Sequence, residues 1–193
     1  MPNYCENDLY VRGPSAVIAE LMALIGADAA MPQFNFSAVI PYPERMAQMD
    51  KEATAFGFSR SALTQEEKTA ARDAYIAKYG NDRDGFNSGG YEWCVDNWGT
   101  KWGASDVVRR DYGGVCLTFQ TAWAPPKPVI LALATRFPKL TFSLEYFERG
   151  MGFCGGFTCP AEDEFEGDEN ETWQPGIARD EWHSSEYLGM RGG

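Results

Sequence analysis

The side chains best equipped for chemistry are Asn97, Trp98, Lys101, Trp102 and, further on, Trp123. In the run Asn97-Trp98-Gly99-Thr100-Lys101-Trp102-Gly103 two indoles bracket a cation, and glycines let the backbone turn. Aromatic faces beside an ammonium group can stack on a planar ligand while the cation meets a phosphate, with Arg109 or Arg110 in support. A nucleotide or a short nucleic acid would suit such a surface. The plainer reading is that Trp93, Trp98, Trp102 and Trp123 pack, since large aromatics dominate cores.

No other group of residues assembles an active site. Glu145 and Glu148 lie three apart on an expected strand and so point to opposite faces, which prevents a shared carboxylate site. His183 is the sole histidine, among Asp180, Glu181 and Trp182, with no nucleophile in a recognised pattern around it. The glycine-rich stretches 85–90 and 150–156 lack the glycine-lysine-serine ending of a phosphate-binding loop. Cys5, Cys94, Cys116, Cys154 and Cys159 are an odd set with no zinc-ligand spacing, so reduced thiols are expected, Cys116 as an inert core residue. The reading assigns no catalytic residues, no metal and no cofactor, and favours a binding protein over an enzyme.

Charge is placed unevenly. Residues 160–193 hold ten Asp or Glu against Arg179 and Arg191, a net of −8 out of the −11 of the whole chain. That balance disfavours extended nucleic acid as a partner, because affinity for it comes from phosphate neutralisation. Glu162, Asp163, Glu164, Glu166, Asp168 and Glu169 could instead engage a basic protein surface. From Pro160 to Glu171 almost nothing is apolar, which reads as a mobile linker. Beyond it Trp173, Ile177, Trp182 and Tyr187 could dock on the domain or on another chain. The start lacks a basic-then-apolar leader and no apolar run reaches membrane length, so a cytoplasmic protein without a membrane partner is expected.

The elements that must position these residues are legible from periodicity. Residues 4–12 end in strand alternation closed by Gly13-Pro14, and Ser15 to Ile25 carries apolar residues at helical spacing, stopped by Gly26. Phe34 to Ile40 reads as a strand or extended segment. Residues 44–90 look like an insertion containing one capped helix, from Thr64-Gln65-Glu66-Glu67 to Tyr79, then a loop over 81–90. Val107-Val108 and the run from Val115 to Thr121 give strands joined through Tyr112-Gly113-Gly114. Pro126 to Phe137 is a second core helix and Leu140 to Phe147 another strand, and residues 151–159 could extend the sheet by one more. The order β-α, insertion, β-β-α-β is that of an α+β ferredoxin-like split βαβ sandwich, an antiparallel sheet with helices on one face. The domain is expected over 1–159, with the insertion at about 44–90 and an acidic linker and tail over 160–193.

The opening Met1-Pro2-Asn3-Tyr4-Cys5-Glu6-Asn7, the block from Trp93 to Ala104, the run from Phe119 to Pro126 and the stretch from Leu140 to Gly155 resemble the YubB family of plasmid and phage proteins. That resemblance implies a ferredoxin-like domain in a mobile-element accessory protein, in the cytoplasm of a bacterial host, and brings no catalytic residues with it. The expected function is therefore a non-catalytic binding protein that engages a host protein, with inhibition of a host defence system as one form. Two alternatives stand beside it: a protein that sequesters or processes a nucleotide through the Trp/Lys region, and a structural or assembly protein that forms a homo-oligomer.

Overall fold

A computed structural model describes residues 3–59, 63–80, 90–111, 114–160 and 164–168, with residues 55–59 and 164–168 described by their backbone alone. The first strand, β1 (Tyr4–Arg12), leads into helix α1 (Ser15–Ile25). Gly26 ends that helix at φ 77°, and the next amide, of Ala27, donates to Met22 O at 2.8 Å, a closure that needs the left-handed glycine. Strands β2 (Ser105–Asp111) and β3 (Val115–Ala122) follow the insertion, then helix α5 (Lys127–Arg136) and strand β4 (Thr141–Glu148). Two further strands, β5 (Phe153–Cys159) and β6 (Glu164–Asp168), complete a six-stranded sheet of order β2-β3-β1-β4-β5-β6, antiparallel at every pairing.

The inner order β2-β3-β1-β4 is two interlocked split βαβ units. Strand β3 inserts between β1 and β2, and β1 inserts between β3 and β4, which is the ferredoxin-like plan expected from the sequence. The core lies on one face. Leu9 and Val11 of β1, Leu117 and Phe119 of β3, and Phe142 and Leu144 of β4 meet Ile18, Leu21 and Ile25 of α1 and Val129, Ile130 and Leu133 of α5 in one buried cluster. Burial of this apolar area is the main stabilising term.

The insertion is more helical than its sequence indicates. It contains α2 (Glu44–Ser59), α3 (Gln65–Tyr79) and α4 (Gly90–Trp98). The capping box is present at α3: Thr64 Oγ1 accepts from the Glu67 amide, and the Glu67 carboxylate accepts from the Thr64 amide at 2.7 Å. Helices α2 and α4 are additions to the one capped helix expected in this region. Phe34 to Ile40 is not a strand: Asn35 caps a 3₁₀ turn over Phe36–Ala38, its side chain accepting from the Ser37 amide. Alternation of Phe34 and Phe36 mimics a strand, yet both rings drop into the core from a tight turn. Residues 81–89 of the expected loop over 81–90, and residues 112 and 113 of the expected hairpin turn, lie outside the described residues, and Gly90 begins α4.

The acidic stretch also departs from expectation. Glu164–Asp168 is the strand β6, paired with β5, where a mobile linker was expected. Its composition is poor for a strand, but Phe157, Gly155 and Phe153 of β5 offer a backbone edge that β6 completes.

Candidate functional site

The tryptophan run divides between core and surface. Trp98 closes α4 and is 3 % exposed, and its Nε1 donates to Ile40 O at 2.9 Å. Its ring packs edge-on against Phe36 and Trp93, at centroid separations of 5.9 and 5.5 Å, and against Tyr42 at 5.7 Å. Asn97 donates to Trp93 O at 2.9 Å, one turn back on the same helix. Trp98 thus joins α4 to Phe36, Ile40 and Tyr42 within the core cluster, while the Asn97 bond stays inside its own helix.

The turn that follows is locked from below. Gly99 has φ 82°, and a Cβ there would stand 2.7 Å from Pro128 Cδ and 2.9 Å from Pro125 O, so no other residue fits. Thr100 donates to Ala122 O at 2.8 Å, tying the turn to the end of β3. Trp123 then takes φ 70°, in the left-handed region that bulky side chains seldom occupy. Its amide donates to Asn3 O at 3.0 Å. This backbone brings the Trp123 ring to 4.9 Å from Lys101 Nζ, a cation–π pair in which both side chains are half-buried. Trp102 is half-buried as well and meets the exposed Tyr91 ring at 6.1 Å. Lys101 and Trp123 therefore meet as half-buried partners, with Trp102 next along the chain.

Arg109 and Arg110, the expected phosphate partners, go elsewhere. They occupy successive positions on β2 and so take opposite faces of the sheet. Arg109 bridges Asp111 at 3.1 Å and donates to Ala27 O at 3.3 Å. Arg110 donates to Thr118 Oγ1 at 2.9 Å, and that hydroxyl donates to Asp8 Oδ1 at 2.5 Å.

A groove of about 460 Å³ opens beside the turn, lined by Phe34, Tyr42 and Trp98 on its apolar side and by Asn35, Ser105 and Asp106 on its polar side. Asp106 stands at a bulge in β2 with φ 50°. Sequence reasoning missed this groove, because its walls come from residues 32–37, Tyr42, Trp98 and residues 103–107, which only the fold brings together.

Glu145 and Glu148 fall on opposite faces of β4, as their spacing requires. Glu148 is structural: it accepts from the amides of Gly150, at 2.9 Å, and Met151, at 2.5 Å, in the β4–β5 turn. Glu145 pairs directly across from Asp8 of β1, and both are buried. Spacing within one strand carries no sign of this cross-strand pair of carboxylates, which strand register creates. Among the described residues no group of three His, Cys, Asp or Glu is placed to hold a metal ion. Cys116 is 8 % exposed, and burial, with Asp8 nearby, pushes its thiol up to about 11, far from a nucleophile at neutral pH.

The register sets Glu164 opposite Phe157, Glu166 opposite Gly155 and Asp168 opposite Phe153. These three acidic positions alternate along β6 and share one side of the strand. Glu162, Asp163, Glu169 and His183 lie outside the described residues. No helix among the described residues is long and apolar enough to cross a membrane.

Residues 97–181 match the family model of the ferredoxin-like domain in Api92-like protein. Among solved structures, the chain is similar to the crystal structure of a protein api92 from Yersinia pseudotuberculosis. The TM-score is 0.51 and the identity 10 %, over 91 % of this chain and 99 % of that one. At that identity the likeness concerns the fold alone. No curated protein matches the chain.

Proposed function

We propose that this chain is a non-catalytic binding protein of a phage or plasmid that engages a basic surface on a bacterial host protein through its acidic outer strand, and that one form of this engagement is inhibition of a host defence system. The observation that carries the reading is β6 itself. Paired to β5, it places Glu164, Glu166 and Asp168 on one side at intervals of about 6.8 Å, twice the rise per residue of an antiparallel strand. A charged row on a sheet loses less conformational freedom on binding than the same residues in a linker. The mobile-element setting rests on the resemblance to the YubB family. An acidic edge also discourages sheet-to-sheet aggregation, and that is the role to be told apart. The full chain and its Glu164→Gln/Glu166→Gln/Asp168→Asn variant, each immobilised and challenged with host lysate, separate the two. Partner engagement predicts a host protein retained by the parent and lost by the variant, whereas an anti-aggregation role predicts a variant that self-associates and retains the same proteins.

A second reading has its own observation, the Lys101–Trp123 pair beside Trp102. It would sequester a nucleotide, the indole stacking on the base and Lys101 meeting a phosphate. Titration with nucleoside triphosphates while tryptophan fluorescence is followed tests it. Saturable quenching that disappears in Lys101→Ala supports this reading, and an unchanged emission across the series removes it.

A further inference from the structure

We propose that the groove lined by residues 32–37 and the start of β2 binds a small organic cation, an ammonium or guanidinium group carried on an apolar or aromatic body. Its volume, about 460 Å³, falls within the range of small-ligand sites, about 300–1,000 Å³. Aromatic rings supply its apolar surface. Phe34 and Trp98 are each 3 % exposed and form the buried part of the lining, and Tyr42 is half-buried. The polar atoms of two of these rings are already engaged: Trp98 Nε1 donates to Ile40 O and Tyr42 Oη donates to Asp50 Oδ2, each at 2.9 Å. Those bonds fix the rings and leave their hydrocarbon and π surface for a ligand.

Charge selects the ligand. Among the described residues that line the groove Asp106 alone is charged, which disfavours a phosphate or carboxylate and favours a cation. Among the described residues no cation or hydrogen-bond donor is paired with the Asp106 carboxylate. Its backbone is unusual as well. At φ 50° it lies in the left-handed region, at the bulge where β2 shifts register against β3 between Ser105 and Val108. A residue with a Cβ adopts that backbone at a cost, which Asp and Asn bear best. Bulges serve to re-aim a side chain beside a site, and here the bulged residue brings the charge to the groove. Ser105 adds a hydroxyl oxygen, and Asn35, whose Oδ1 accepts from the Ser37 amide, keeps its Nδ2 group to donate to a carbonyl or hydroxyl of the ligand. A carboxylate beside aromatic rings suits a cation twice over, through the charged hydrogen bond and through the π face. The site lies at the β2 edge of the sheet, at the opposite end from β6, and is independent of the acidic strand.

Titration calorimetry of the full chain with tyramine, phenethylamine, agmatine and arginine amide tests the site, with phenylpropionate as an anion on a similar body. At least one of the cations should bind saturably with a dissociation constant of about 1 mM or below, and the anion should not bind. The net charge of −11 draws any cation loosely to the chain. The deciding arm is therefore Asp106→Asn, which changes that charge by a single unit and keeps a side chain that tolerates the left-handed backbone. It should weaken binding at least about tenfold. A second measurement needs no variant: on addition of the bound cation to the parent, the NMR signals of the Trp98 indole N–H and the Asn35 side-chain amide should shift. Binding that survives in Asp106→Asn, an anion held as well as the cation, or shifts that spare both Trp98 and Asn35 would overturn the proposal. So would a panel in which no cation binds below about 10 mM.

Discussion

Trp98 and Lys101 are three residues apart in one motif, and the structure gives them different roles. The Trp98 ring lies among Phe36, Tyr42 and Trp93 with its indole N–H satisfied. Trp98→Ala should therefore lower stability by about 3–5 kcal/mol in urea denaturation, the usual effect of emptying a large aromatic site. Lys101→Ala removes a half-buried cation–π contact and should cost less than about 1 kcal/mol. A reversal of that order would mean that the insertion is not held by the Trp98 cluster. The sequence marks both residues as notable and cannot separate them, because which indole faces inward depends on where Ile40 and Tyr42 arrive from a distant segment. The buried thiols carry a pH dependence. Desolvation raises Cys94 to about 12 and Cys116 to about 11, from an ordinary 9.0. A folded value above the unfolded one stabilises fully below pH 9, and that contribution is lost as pH rises toward 11–12. Denaturation midpoints should fall across that window, and Cys116→Ala should make the fall shallower.

Secondary-structure elements are legible in the sequence wherever the side chains that stop an element are also its neighbours. Gly26 ends α1, and Thr64 with Glu67 begins α3, because caps are made within a few residues. Thr64→Ala should destabilise α3 by about 1 kcal/mol, seen as faster amide exchange at the helix start while β1 and β3 exchange unchanged. Elements stabilised from outside were not legible. Helix α2 is tied from outside by Tyr42 to Asp50 at 2.9 Å and by Lys78 of α3 to Glu52 at 2.6 Å, and α4 by Trp98, whose Nε1 donates to Ile40 O at 2.9 Å. Strand β6 exists because β5 presents an edge to it, and the acidity of the segment conceals a pairing that is made by backbone groups. The 3₁₀ turn at Phe36–Ala38 shows the reverse error, an alternation of Phe34 and Phe36 that imitates a strand.

For the whole molecule, the two split βαβ units follow from strand and helix order alone, since right-handed crossovers leave few other arrangements. The groove between segments 32–37 and 103–107 and the facing of Asp8 with Glu145 do not follow from it, because both are products of long-range register. Charge behaves likewise. Composition assigns −8 of the net −11 to residues 160–193, but only the sheet converts part of that run into a spaced row on β6. If the row is the partner surface, binding must be electrostatic and ordered. The most direct measurement is the affinity of the full chain for its captured host protein between 50 and 300 mM salt, for the parent and for Glu164→Gln/Glu166→Gln/Asp168→Asn. The proposed function predicts that the parent weakens at least about tenfold across that range and that the variant binds poorly at the low end with little further salt dependence. A host protein held equally by both chains and insensitive to salt, or no host protein held by either, would contradict it.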